Sequence, residues 1–159
     1  MSWRDLIERH HEWAHATDEY DLVTLPGISF DDIAEVEATL GFTFPREFVS
    51  LYRVVGGVGV KAGEDKRYWL FTPLKEIPGF VSRIRDWIGE THPDCASRFF
   101  PFIDWSDGDG SGYLVSSSGK VLPGLYHFEH DSFEFDPDQN EKSFLIPLYK
   151  SIDAFLQEK

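Results

Sequence analysis

Two short helices with marked ends, separated by a short link that begins at Gly41, lie between residues 29 and 57, and they restrict the folds open to this chain. Ser29 is placed to cap the first helix, and Gly41 is placed to end it. Between them, apolar residues recur every three or four positions, as on a helix that buries one face: Ile33, Val36 and Leu40. The pattern predicts a helix of about three turns packed on a core.

The second helix follows at once. We expect Thr43 to cap it and Pro45 to occupy its first turn, where a missing amide donor costs nothing. Its buried face would consist of Phe48, Leu51, Tyr52 and Val55. The pair Gly56-Gly57 is predicted to end it.

The rest of the chain alternates between apolar helical patterns and short aromatic strands. Helical patterns occupy residues 2–15, 80–88 and 143 onward, and strand patterns occupy residues 68–71, 99–105, 113–117 and 121–129. No repeat or low-complexity linker interrupts them. The order predicts a single domain over residues 1–159 of the α+β class, with a central antiparallel sheet flanked by helices at both ends of the chain.

Charge and composition exclude several classes of function. The formal net charge of −13 disfavours binding to nucleic acid or to an anionic membrane, because either needs a basic face. No apolar run approaches the roughly 20 residues of a membrane span. The opening residues lack the apolar stretch of a signal peptide, and Cys95 is the one cysteine. We therefore expect a soluble protein of the reducing cytoplasm.

Acidic residues concentrate in one part of the chain. Between Asp104 and Glu141 there are nine acids and one base, Lys120. Such a segment favours fast association with a basic partner, although a merely solvated face would look the same in the sequence. Trp105 is either an interface anchor or a core residue. The candidate partner-binding residues are Asp104, Trp105, Asp107, Asp109, Glu129, Asp131 and Glu134.

The stretch HEWAH at residues 11–15 has the H-E-x-x-H spacing of zinc metalloproteases. That motif needs its two histidines on a helix face that lines a cleft, with a third protein ligand nearby. At about 100° per residue, His11 and His15 fall outside the apolar stripe, and Glu12 lies almost opposite it. We therefore expect a solvent-facing pair that binds metal adventitiously at most.

Other local motifs give no catalytic centre. Asp107, Asp109 and Ser111 match the first positions of a calcium loop, but Ser118 occupies the twelfth position, where a bidentate Glu is required. His127 and His130 lie among acids, where charge pairing is the plain explanation. We predict no catalytic residues, no resident metal and no cofactor.

Several motifs, taken in order, resemble the SUKH superfamily, which includes fungal cell-wall-assembly regulators and many bacterial immunity proteins. The resemblance covers most of the chain. It rests on an early Trp, on I-x-x-x-E-x-x-L-G, on x-x-P-x-x-F, on a double glycine, and on a Gly-Asp-x-x-Gly segment after an aromatic strand. These fall on Trp3, Ile33, Glu37, Leu40-Gly41, Pro45, Phe48, Gly56-Gly57, Phe102, Trp105, Gly108-Asp109 and Gly112-Tyr113.

The resemblance implies a binding function rather than an enzyme. Immunity proteins of the superfamily neutralise toxin domains delivered by neighbouring cells, and many such toxins are nucleases or other enzymes. A basic, nuclease-like toxin domain would suit the acidic segment of this chain. Two alternatives stay open: an intracellular regulatory or scaffold module of the same fold, and a metal-dependent enzyme that uses the HEWAH stretch.

Overall fold

The computed structural model describes residues 1–14, 20–63 and 66–158. Six α-helices lie in these ranges: α1 (Trp3–Ala14), α2 (Phe30–Leu40), α3 (Arg46–Val54), α4 (Ile77–Gly89), α5 (Pro93–Arg98) and α6 (Ile152–Gln157). Seven strands accompany them: β1 (Asp21–Pro26), β2 (Val55–Ala62), β3 (Lys66–Phe71), β4 (Phe99–Asp104), β5 (Gly110–Leu114), β6 (Leu125–Phe128) and β7 (Leu145–Tyr149). None of the described helices is long and apolar enough to cross a bilayer.

The seven described strands form one sheet in the order of the sequence, and every neighbouring pair is antiparallel. Helices lie at both ends of the chain, which confirms the predicted α+β class. Because each strand pairs with the next one along the chain, the turn between β4 and β5 and the end of β6 come to the same end of the sheet. The meander therefore brings Asp107 and Asp109 of that turn next to the residues that follow β6.

The structure confirms most of what the sequence predicts for the capped helix pair. The Ser29 hydroxyl accepts a hydrogen bond from the Asp32 amide at 3.1 Å, and Gly41 ends α2 in the left-handed conformation at φ +64°. A Glu37 carboxylate oxygen accepts from the Phe44 amide at 2.7 Å, which closes the link between the two helices. The prediction for Thr43 was wrong, because Pro45 is the residue that precedes the first turn of α3.

Strands β1 and β2 were missed by the sequence analysis. The double glycine does not end a helix in a loop; it occupies the second and third positions of β2. A Cβ on Gly56 would lie 2.5 Å from the Pro26 carbonyl oxygen, and one on Gly57 would lie 3.0 Å from the Pro73 Cα. Glycine is needed at these two positions because neighbouring backbone approaches the strand there.

The end of the chain also differs from the prediction of one long helix from residue 143. Leu145–Tyr149 forms the edge strand β7, paired with β6, and only Ile152–Gln157 is helical. Pro147 is tolerated because an edge strand leaves one side of its backbone unpaired. The Ser151 hydroxyl then caps α6 by accepting from the Ala154 amide at 3.0 Å.

Two clusters of buried side chains form the core. The larger cluster joins α1, α2, α3 and α6 to the middle of the sheet, with Phe48, Leu51 and Phe102 fully buried. The smaller one joins α4 and α5 to the sheet and centres on Ile88 and Phe128. Within β4, Phe99 packs in the smaller cluster and the next residue, Phe100, packs in the larger one, because neighbouring side chains of a strand point to opposite faces.

Glu47 links three elements of the larger cluster. Its carboxylate accepts from the Tyr113 hydroxyl of β5 at 3.0 Å and from the Ile152 amide at the start of α6 at 3.1 Å. Burial raises the pKa of this carboxyl, although both hydrogen bonds act in the opposite direction. The carboxylate thus holds the last helix against α3 and the sheet.

Candidate acidic binding site

The turn between β4 and β5 carries three acidic residues, Asp104, Asp107 and Asp109. Asp104 accepts from the Ser106 amide at 2.8 Å, and Asp107 accepts from the Asp109 amide at 2.9 Å, so two side chains fold the turn on itself. Gly108 adopts φ +103°, and a Cβ at this position would lie 3.0 Å from the His130 ring. Glycine therefore lets the imidazole of His130 pack directly on the turn.

Asp109 is the centre of this arrangement. One of its carboxylate oxygens accepts from the His130 backbone amide at 3.0 Å and also contacts Nδ1 of the same ring. The other oxygen lies 2.9 Å from Nε2 of His127. Because His127 belongs to β6, this one carboxylate fixes the turn to the neighbouring strand and to the segment that follows it.

A chain of hydrogen bonds continues from His127 into the core. Nδ1 of His127 lies 2.6 Å from the Ser111 hydroxyl, and that hydroxyl accepts from the indole N–H of Trp105 at 2.9 Å. When the His127 ring is neutral, the Ser111 hydroxyl donates to its Nδ1 and its Nε2–H donates to Asp109. Each polar side-chain atom in this series of hydrogen bonds then has a partner. The indole of Trp105 packs edge-on against Phe155.

Ser111, His127 and Asp109 have the order of a serine-hydrolase triad, but the serine cannot act as a nucleophile in this geometry. Ser111 is fully buried in β5, and its oxygen is held by Trp105. A nucleophile must reach a substrate carbon next to an oxyanion site. The three residues therefore position the acidic turn and Trp105.

The acid–histidine contacts shift two pKa values in opposite directions. Burial by itself raises the pKa of Asp109, but the hydrogen bonds from the His130 backbone, the His130 ring and His127 outweigh burial and lower it. The hydrogen bond with Asp109 raises the pKa of His130, and the nearby charges of Asp131 and Asp107 add to that increase. Both shifts favour a carboxylate paired with a protonated ring.

The structure brings several of the predicted binding residues together. Asp107, Asp109 and Asp131 all lie around His130, whose Nε2 is 3.2 Å from an Asp131 oxygen. Asp104 and Trp105 lie at the start of the same turn. Their role in binding a partner stays a prediction.

The remaining two predicted residues have other local contacts. Glu129 follows β6 directly, and its carboxylate accepts from the Ser132 hydroxyl at 3.0 Å. Glu134 is exposed, and its amide donates to the Gln139 side chain at 2.9 Å. Neither of these contacts joins Glu129 or Glu134 to Asp107 or Asp109. Of the seven predicted residues, Asp107, Asp131 and Glu134 are exposed, and the other four are partly buried.

A pocket of about 430 Å³ adjoins the acidic turn. Its walls come from α1, from the end of α6, from strands β1 to β3 and from the segment after β4. Side chains of Leu22 and Val60 line it, and Asp104 and Trp105 are also among its lining residues. The sequence analysis missed this pocket because it missed β1 and β2, which supply part of its floor.

The structure tests the predicted metal motifs in part. His11 lines the pocket and is partly buried, so the expectation that it faces solvent was wrong, whereas His15 lies outside the described residues. Ser111 cannot be a calcium ligand in this geometry, because it is buried and bonded to Trp105 and His127.

Among the described residues, one group could offer three ligand atoms to a cation. It consists of Asp107, Asp109 and His130, whose candidate atoms lie within 4.8 Å of one another. The ring of His130 is already engaged by Asp109 and Asp131, so a metal would have to displace those contacts. The expectation that the protein has no resident metal stays a prediction.

The histidines were visible in the sequence as neighbours of acids, but their partners were not. Asp109 and His130 are 21 residues apart, and Ser111 and His127 are 16 apart. The alternating pattern of β5 and β6 gives a weak signal for such pairs, because opposite residues on antiparallel strands share a face. Ser111 pairs with His127 in this way.

Comparison with known proteins gives one family. The model of the SMI1 / KNR4 family (SUKH-1) matches residues 27–158, which is most of the chain. No curated protein matches the sequence. The matched region contains the capped helix pair, the double glycine, the acidic turn and both histidines.

Proposed function

We propose that this chain, which belongs to the SMI1/KNR4 family (SUKH-1), is an immunity protein that binds a toxin domain and occludes its active site. The family is generally non-enzymatic, and its membership is consistent with an immunity or a regulatory role. The proposed binding surface is the acidic turn with its neighbours, Asp104, Trp105, Asp107, Asp109, Glu129, Asp131 and Glu134. The proposed partner is a basic protein domain, such as a nuclease.

The observation that carries this proposal is the rigid mounting of the acidic turn. Asp109 is hydrogen-bonded to His127 and His130. The side chains of Asp107 and Asp131, which lie around His130, are exposed to solvent. A preorganised surface loses less conformational freedom on binding than a flexible one. Fixed, exposed carboxylates beside a half-buried tryptophan are therefore a sound basis for protein recognition.

Electrostatics supports a basic enzyme as the partner. A nuclease surface is basic because its substrate is polyanionic, and an acidic inhibitor can occupy the same site. The net charge of −13 would also accelerate the encounter at low ionic strength. Rapid association is useful to a protein that must act before a toxin reaches its substrate.

The cytoplasm is the proposed location. Cys95 is buried, and burial together with the neighbouring Glu141 raises the pKa of its thiol to about 12. Such a thiol is unreactive near neutral pH, because the thiolate is the reactive form. A free, inert thiol suits a reducing compartment but does not require one.

Recovery of the partner is the direct experiment. The immobilised protein is incubated with lysate of its source organism and eluted with a salt gradient, and the eluted proteins are identified by mass spectrometry. We expect one basic polypeptide, retained to high salt, whose enzymatic activity is lost when the protein is added back at equimolar concentration. Several proteins that elute at low salt, none of them inhibited, would instead indicate a regulatory or scaffold module.

A charge-reversal pair tests the surface itself. Asp107→Lys with Asp131→Lys reverses two exposed charges and leaves the Asp109 side chain its contacts with His127 and His130. The pair removes the hydrogen bond from the Asp109 amide to Asp107, so circular dichroism must first show that the fold is intact. We expect affinity for the recovered polypeptide to fall at least tenfold, with most of the loss in the association rate. Asp31→Lys with Glu35→Lys makes the same change in net charge on exposed positions of α2 and serves as the control. Equal losses from both pairs would show that overall charge matters and this surface does not.

A further inference from the structure

The geometry points to a specific contact within that interface: the pocket beside the acidic turn receives one large apolar side chain of the partner, flanked by lysine or arginine residues. The inference rests on the proposed protein-binding function and adds an anchor to it. The occupant is a side chain such as tryptophan, carried on a basic segment.

The floor of the pocket is a row of partly exposed apolar side chains on the sheet. Leu22, Val60 and Tyr68 are direct partners across β1, β2 and β3, so they share one face. Leu22 and Val60 are partly buried, and Tyr68 is 39% exposed. Three adjacent apolar side chains that keep contact with water gain stability when a further apolar group covers them.

The size of the pocket suits a side chain or a small ligand. Its volume of about 430 Å³ lies within the range of about 300–1,000 Å³ that is typical of ligand pockets. Buried aromatic side chains in pockets of this kind carry a large share of the binding energy of protein interfaces. The apolar floor therefore favours a large apolar side chain of the partner as the anchor.

The acidic residues at the rim of the pocket favour basic residues next to the partner's apolar side chain. Asp104 lines the pocket and is partly buried, and exposed Asp107 follows three residues later on the same turn. Asp104 is paired with Arg83 at 3.4 Å, so a basic group of the partner would compete with Arg83 for Asp104, whereas Asp107 is exposed to solvent. A basic segment on the partner would place its charges along this edge.

One wall of the pocket is fixed before any partner binds. Trp105 is held by the Ser111 hydroxyl through its indole N–H and packs against Phe155 and His127. The chain of hydrogen bonds ends at Asp109, which belongs to the acidic turn. The anchor pocket and the charged rim are thus parts of one rigid unit, which favours a partner that presents both features together.

Short peptides test the inference without the natural partner. The probes are acetylated and amidated pentapeptides: Lys-Lys-Trp-Lys-Lys, the same peptide with Ala in place of Trp, and Glu-Glu-Trp-Glu-Glu. Binding is followed by titration of the amide signals of the isotope-labelled protein in NMR spectra. We expect the first peptide to bind at least tenfold more tightly than either of the others, with the largest shifts at Leu22, Val60 and the Trp105 indole.

Two variants with a matched control locate the binding. Leu22→Trp fills the pocket and is expected to weaken binding of the first peptide at least tenfold. Val23→Trp adds the same side chain to the next position of β1, which pairs with Gly59 on the opposite face, and is expected to change binding less than twofold. Tyr68→Ala removes an exposed part of the floor without filling it, so reduced binding there confirms the result independently of the packing of a new tryptophan.

The possible failures are distinguishable. If the tryptophan and alanine peptides bind equally, or if the shifts lie away from the pocket, the anchor inference is overturned and charge alone governs the contact. If the two tryptophan peptides bind equally, the acidic rim does not select the partner, and the inference is likewise overturned. If the recovered polypeptide is inhibited equally by the wild type and by Leu22→Trp, the proposed function holds and the pocket is not part of it.

Discussion

At the residue scale, the conformation of the acidic turn depends on one carboxylate, that of Asp109. It accepts hydrogen bonds from a backbone amide and from two imidazole rings, and it ends the chain that positions Trp105. The sequence places Asp109 among exposed-looking acids, but its side chain is only 16% exposed. Its first role is to hold the turn, and any contact with a partner would come second.

Removal of that carboxylate should destabilise the protein. Asp109→Ala leaves the His130 amide and the His127 ring without their acceptor, and we expect a loss of about 1–3 kcal/mol in the free energy of unfolding. Urea denaturation at pH 7 measures it. Asp131→Ala, at a side chain that is 93% exposed, should change the same quantity by less than about 0.5 kcal/mol. Equal effects from the two substitutions would contradict the central role of Asp109.

His130 should make stability depend on pH. Because its pKa is raised by Asp109 and the surrounding acids, its stabilising contribution is fully present below the unfolded value of about 6.5 and is lost as pH rises through the folded value. We expect the difference in urea midpoint between the wild type and His130→Ala to be larger at pH 5.5 than at pH 8.5. NMR titration of the ring should give a pKa above 6.5, and the value should fall in Asp109→Asn.

A pH-independent difference in midpoint, together with an unshifted ring, would show that His130 acts only through its packing on Gly108.

At the scale of the elements, several glycines are required because backbone approaches them closely. A Cβ on Gly112 would lie 2.1 Å from the Phe100 carbonyl oxygen and 2.4 Å from the Pro101 Cα, both on the adjacent strand β4. Gly112 belongs to the motif that carries the family resemblance. Its identity follows from the pairing of two strands and needs no role in binding.

Substitution by alanine should change the free energy of unfolding in opposite directions at a glycine crowded by backbone and at a glycine with open space around it. Gly112→Ala should lower the free energy of unfolding by about 1–3 kcal/mol or more, since β4 and β5 must move apart. Gly79→Ala, in α4 with open space around the site, should raise it by about 0.5–1 kcal/mol through helix propensity. Thermal unfolding followed by circular dichroism compares them, and a stable Gly112→Ala variant would show that the strands tolerate the shift.

The same scale shows where sequence patterns were sufficient. The capped start of α2, its glycine end and the apolar face of α4 depend on neighbours within a few residues, and the structure confirms them. Strand β1 has a mixed pattern of exposed and partly buried residues and was missed. β7 was taken for helix because Leu145 and Leu148 fit a helical spacing, whereas pairing with β6 decides its conformation.

At the scale of the whole molecule, two core clusters share one sheet. Both clusters draw side chains from β4 and β5, so neither can lose its packing without disturbing the strands that support the other. We therefore expect the single domain predicted from the sequence to unfold in one cooperative transition.

Large-to-small substitutions in each cluster test this expectation. Leu51→Ala in the larger cluster and Ile88→Ala in the smaller one should each lower the free energy of unfolding by about 2–5 kcal/mol, since both side chains are fully buried. Tryptophan fluorescence and far-ultraviolet circular dichroism should report the same single transition in both variants. A second transition in either variant would show that the clusters unfold separately.

The sequence by itself determined the features that depend on short spacing: the α+β class, the ends of α2, the acidic segment and the motifs of the SUKH family. It did not determine which acids are exposed charges and which are structural. Only the tertiary structure joined Asp109 to His127 and His130, buried Ser111 beneath Trp105 and formed the pocket from β1, β2 and β3. These contacts join residues far apart in the chain, and their geometry is set by strand pairing and register, which local periodicity does not encode.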